Sequence, residues 1–114
     1  MLVKCEQTDL ALVCHLEGNL EQHTVAQFRE AVSVLPSEQP VVFELSAVPF
    51  IDSAGLGALI GAIRRTRELG GEVAVCAPRP SVSRVLQMVG LPRIVTVTGS
   101  PKEAVEYFAG PAVA

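Results

Sequence analysis

F-I-D-S-A-G-L-G-A-L-I-G, from Phe50 to Gly61, is the stretch on which the fold turns. It reads as the entry from a loop into a long helix. Leu56, Leu59, Ile60 and Ile63 recur at helical spacing, and the pattern predicts a helix from about Ala54 to Leu69, ended by Gly70-Gly71. Ahead of it, V-V-F-E-L (41–45) is rich in β-branched residues and bounded by turn residues, which marks a central strand. Behind it, E-V-A-V-C-A (72–77) marks another buried strand. Strand, helix and strand in this order make a parallel βαβ unit, because parallel neighbours need a crossover between them.

Working outward, Val3, Cys5, Leu10, Leu12, Cys14 and Leu16 follow period two and predict an antiparallel hairpin turning near Thr8 and Asp9. G-N-L-E (18–21) closes its second strand. Thr24 with Gln27 fits a capping box, opening a helix with Val25, Phe28, Val32 and Leu35 on one stripe. Pro36 is expected to stop that helix, with S-E-Q-P as the loop. Downstream, Val82, Val85, Leu86 and Val89 mark a short helix ended by Gly90. Ile94, Val95 and Val97 predict a last strand. Ser100, Pro101 and Glu103 then supply N-cap, N1 and N3 of a final helix. The expected order is β-β-α-β-α-β-α-β-α: an α/β fold with a mixed, mostly parallel sheet and about four helices. Residues 1–110 are expected to form one domain, with a flexible tail over 111–114.

The chain has 114 residues, 49% hydrophobic and 18% charged, with a net charge of −3. That supports one packed core and argues against nucleic acid, which draws basic domains. Arg64, Arg65 and Arg67 would lie on a solvated helix face. The uncharged run from Ala54 to Ile63 is far short of the ~20 residues that span a bilayer, and the N-terminus has no apolar leader. A cytoplasmic chain without membrane insertion is expected. Three cysteines, widely spaced, do not make a disulfide framework, and no Cys/His spacing suits zinc. Cys5 and Cys14 would face each other across the hairpin, which makes a redox pair conceivable; buried reduced thiols are the simpler reading.

Three chemistries compete for Ser53. A serine nucleophile needs G-x-S-x-G, and Ile51 stands at the first glycine position. It also needs a base, whereas His15 reads as an exposed sheet residue and His23 as a loop residue. Gly55, Gly57 and Gly61 approach a dinucleotide fingerprint, but they fall inside the helix, ten residues beyond Leu45, rather than in a strand-to-helix turn. Close backbone packing explains them more simply. A serine at a helix start is either an N-cap, worth about 1 kcal/mol, or a site for a phosphate that the helix N-terminus tolerates. The residues alone permit both.

F-I-D-S-A-G-L-G with its helix resembles the signature of the STAS domain, specifically of bacterial anti-sigma factor antagonists. G-N-L-E with H-T after it, V-V-F-E-L, G-G-E-V-A-V-C-A and S-R-V-L-Q-M-V-G-L-P-R-I extend the likeness over nearly the whole chain. The resemblance implies a partner switch. The unphosphorylated antagonist binds an anti-sigma factor that is itself an ATP-dependent, histidine-kinase-like serine kinase, and so frees a sigma factor. The kinase phosphorylates the serine matching Ser53, and a PP2C-type phosphatase resets it. Ser53 is then substrate rather than catalyst, and neither enzyme activity nor a cofactor is implied. Asp52, Ala54, Gly55, Leu56 and Gly57, with an exposed rim of Gly18, Asn19, Leu20, Glu21, His23 and Thr24, would meet the partner.

Two departures from the pattern stand out. Asn19 and Glu21 replace residues of the common G-E-L-D segment, and Ala54 stands where a second serine is frequent, leaving Ser53 the only hydroxyl in the motif. The rival reading is a STAS subunit of a lipid-transport ATP-binding cassette complex. It would dock constitutively on an ATPase, with Ser53 as a plain helix cap.

Overall fold

The computed structural model of the protein describes residues 1–35 and 38–110. Two strands, β1 (Leu2–Gln7) and β2 (Leu12–Glu17), are followed by α1 (Val25–Ser33), β3 (Val41–Ala47), α2 (Ser53–Glu68), β4 (Val73–Cys76), α3 (Pro80–Met88), β5 (Thr96–Thr98) and α4 (Pro101–Ala109). The sheet order is β1-β2-β3-β4-β5. β1 pairs antiparallel with β2, and every other pair is parallel. This is the mixed, mostly parallel sheet with four helices that the patterning predicts.

Side-chain alternation assigns the two faces. Leu12, Cys14 and Leu16, with Val41, Phe43 and Leu45, join Phe28 and Val32 of α1, Leu59 and Ile63 of α2, and Val82 and Leu86 of α3 in the main core. Val13, Val42, Ala74 and Cys76 face the other way, onto Ala104 of α4. The asymmetry follows from connection handedness. From β2 onward the sheet is laid down in one direction, and right-handed crossovers then put α1, α2 and α3 on the same side. Only α4, which follows the last strand, covers the opposite face.

The structure departs from the sequence expectations in four places. Thr24 does not form a capping box: its backbone is already helical and its side chain makes no cap bond. Its Oγ1 instead donates to Asn19 O at 2.7 Å and accepts from Glu21 N–H at 3.0 Å, while Gln27 is drawn to the Met1 ammonium. The last strand begins at Thr96, since Leu91–Arg93 form a 3-10 turn that leaves Ile94 exposed. His15 is a half-buried residue bonded to Glu44 (Nδ1 to Oε2, 2.9 Å) rather than an exposed sheet residue. Cys5 is exposed, so only Cys14 and Cys76 are buried thiols. The expected stop at Pro36 and the tail at 111–114 lie outside the described residues.

Candidate functional site

Two loops meet at the carboxyl edge of the sheet because they leave adjacent parallel strands. The segment after β2 runs through Gly18, whose φ of +102° makes the turn that a side chain would strain. The segment after β3 leads into α2. Gly18 N–H donates to Ala47 O at 3.0 Å, and Leu20 N–H to Phe50 O at 3.0 Å, while Asp52 N–H returns to Leu20 O at 3.3 Å. An isolated parallel bridge pairs Leu20 with Ile51. These backbone bonds bring the 18–24 rim beside the start of α2.

Asp52, not Ser53, is the N-cap of α2. Its backbone is extended, and its Oδ1 accepts from Gly55 N–H at 2.8 Å. Its Oδ2 accepts from Gln22 N–H at 3.0 Å, so one carboxylate ties the helix start to the rim. The Gly55 N–H lowers the Asp52 pKa most; slight desolvation opposes it and the Gln22 N–H adds to it, with a net shift below the usual aspartate value. Ser53 therefore stands at the first helical position, exposed, and its hydroxyl has no hydrogen-bond partner among the described residues. The reading of Ser53 as the cap is corrected by one residue.

Gly55 explains how closely the parts fit. A Cβ built there would stand 1.9 Å from Leu20 O and 2.5 Å from Leu20 C, both backbone atoms. The helix can seat on the rim only because this position has no side chain. Gly55 is itself buried, so it shapes the surface from beneath. Gly57 and Gly61 differ, with nothing within 4 Å of an added Cβ. They border an open groove of about 310 Å³ between α1 and α2, lined also by Phe28 and Val32. The run therefore holds one packing glycine and two exposed ones, and no phosphate cradle.

Of the other residues expected here, Ala54 and Leu56 are half-buried on the first turn and Asn19 is exposed on the rim, whereas Leu20, expected on the exposed rim, is buried because its side chain joins the main core. Glu21 is half-buried and its Oε1 accepts from the N–H of exposed His23 at 3.0 Å, while Thr24 is engaged with Asn19 O. Two residues escaped the sequence reading. Gln22 supplies the N–H that reaches Asp52, a contact with no local pattern to announce it. Phe50 is 52% exposed and, with Pro49, Ser81 and Val85, walls a cleft of about 210 Å³ between α3 and the loop leading to Asp52. Its place beside buried Ile51, in the alternation just before the motif, was the available signal.

A helix start seated on a glycine, an aspartate cap and a free serine meet at the sheet edge. Residues 3–104 match the STAS domain, and the chain belongs to that family. Within it, the anti-sigma F factor antagonist of Paenibacillus polymyxa is 37% identical over 90 residues, covering 75% of this chain and 76% of that protein. The solved structure of the anti-sigma factor antagonist SpoIIAA in its unphosphorylated form superposes with a TM-score of 0.76 at 24% identity, covering 98% of this chain and 100% of the other. The phosphorylated form of SpoIIAA from Bacillus gives 0.68 at 24% identity, over 93% and 98%. These two structures are similar to this chain in fold. No described helix is long and apolar enough to cross a membrane.

Proposed function

We propose that this chain is an anti-sigma factor antagonist switched by phosphorylation of Ser53. Unphosphorylated, residues 1–110 act as one unit that binds an anti-sigma factor serine kinase of the histidine-kinase-like ATPase class and releases a sigma factor. A PP2C-type phosphatase restores the binding form. The chain performs no catalysis of its own, and it works in the cytoplasm, where sigma factors act.

The observation that carries this reading is the division of labour at the helix start. Asp52 occupies the cap, so the Ser53 hydroxyl is exposed and uncommitted. A phosphate there adds about −1.5 to −2 charges. The helix N-terminus accepts negative charge, so the fold persists. A partner surface fitted to the neutral hydroxyl beside one carboxylate then meets a site carrying about −2.5 to −3 charges. Couplings of about 1–3 kcal/mol change affinity roughly 5- to 150-fold, enough to exchange partners. The exposed Phe50 and its apolar cleft offer the partner an anchor within three residues of the switch. The relatives' function supports this reading over the lipid-transport one.

Affinity capture from source-cell lysate with wild type, Ser53→Ala and Ser53→Asp, followed by mass spectrometry, tests the proposal. Wild type and Ser53→Ala are expected to retain a histidine-kinase-like ATPase that Ser53→Asp loses. Equal retention of a transporter ATPase by all three would overturn it.

A further inference from the structure

The β1–β2 hairpin holds two side chains that the partner switch does not use. Cys5 and Cys14 are directly opposite in the antiparallel ladder, and their sulfurs lie 3.0 Å apart. Opposed residues of such a pair have Cβ atoms about 4.5–5.5 Å apart, and a disulfide spans about 3.5–4.5 Å, so closure asks for a shift of roughly an ångström. β1 is the sheet edge, paired on one side only, and is the element free to make that shift. The two sulfurs also differ in access, Cys5 being exposed and Cys14 buried. Burial first, then the contact with Cys5, pushes the Cys14 thiol well above the usual range. It stays protonated, so a peroxide meets the exposed Cys5 first. Cys76 is buried on the opposite face, where burial and then the Glu44 carboxylate push it up to about 12. It serves as an internal control.

We propose that Cys5 and Cys14 form a reversible oxidation site that closes to a disulfide when a peroxide reaches the edge strand. The Cys5 thiolate attacks a peroxide oxygen and the O–O bond breaks, giving Cys5 sulfenic acid and a hydroxide that leaves as water after taking a proton. The Cys14 sulfur then attacks the sulfenic sulfur. The S–O bond breaks, and the hydroxyl departs with the Cys14 proton as a second water. Two thiols and one hydrogen peroxide thus become one disulfide and two waters, with two electrons passing from sulfur to oxygen. The bond ties β1 to β2, and an external dithiol reopens it by exchange.

The test uses the full chain, reduced, desalted, treated with equimolar hydrogen peroxide and then alkylated. The mass of the chain is expected to fall by about 2 Da before alkylation, the signature of two lost hydrogens. Alkylatable thiols should drop from three to one, peptide mapping should join Cys5 to Cys14 and find Cys76 alkylated, and dithiothreitol should restore all three. Cys5→Ser, an exposed substitution, should abolish the mass loss. Three alkylatable thiols after peroxide, oxygen adducts on Cys5 without a bridge, or disulfides only between chains would each overturn the proposal.

Discussion

Two helices of this protein begin with a serine near the cap, and they use it in opposite ways. In α4, Ser100 is the N-cap: its Oγ accepts from Glu103 N–H at 3.2 Å, Pro101 follows at the first position, and the Glu103 carboxylate reaches back to Gly99 N–H at 3.2 Å. That hydroxyl is consumed by the fold. In α2 the cap is Asp52, and Ser53, one residue later, is spared. The same residue type is structural in one place and available in the other. What separates them is a shift of one position, made possible by an aspartate that binds two backbone N–H groups at once.

The largest test of this contrast lies beneath the site rather than in it. Gly55→Ala would drive a Cβ into the Leu20 carbonyl. No side chain can swing aside, because the obstacle is backbone, so the cost falls at the upper end for overpacking, about 3 kcal/mol. Chemical denaturation of the variant should show that loss of stability. A loss below about 1 kcal/mol would mean that the rim and the helix are less tightly seated than the geometry requires.

Asp52→Asn should come next, with a smaller loss and a distinctive pH dependence. The Gly55 N–H, more than the Gln22 N–H, holds the folded carboxyl below its ordinary value of 3.8. A carboxyl with a depressed folded pKa contributes stability that is fully present above its unfolded pKa and fades as pH falls through the folded one. The gap in denaturation midpoint between wild type and Asp52→Asn should be constant near neutrality and narrow below about pH 4. A gap that persists unchanged in acid would show that the charge contributes nothing and that the cap works by shape alone.

These two residues also show where local pattern stops informing. The hairpin was legible because a turn separated two runs of period two, and α2 because Leu56, Leu59, Ile60 and Ile63 kept helical spacing and Gly70-Gly71 marked its end. The cap was not, since aspartate and serine are nearly equal caps and adjacent positions cannot be told apart by preference. Thr24 and Gln27 had the letters of a capping box, yet backbone groups of Asn19 and Glu21 claimed the Thr24 hydroxyl first. His15 read as solvent-facing because a hairpin usually buries one face. Its partner, Glu44 on the neighbouring parallel strand, is buried on the face that α4 returns to cover. The adjacency of the 18–24 rim to residues 50–57 had no local signal either. It comes from two loops leaving the same sheet edge, and only the family resemblance placed them together in advance.

The comparison between the two serines ends in a pair of matched substitutions. Ser100→Ala removes a working cap bond and should cost about 1 kcal/mol. Ser53→Ala removes a hydroxyl that bonds nothing described, at an exposed first-turn position where alanine is a good helix former. Its effect on stability should be the smallest of all, within about 0.5 kcal/mol of zero. Measured side by side by thermal or urea unfolding, the two should differ clearly. Equal losses would mean that Ser53 shares the capping with Asp52, and a phosphate there would then disturb the helix itself. Only if Ser53→Ala leaves stability untouched can modification of that hydroxyl change what the protein binds without changing what it is.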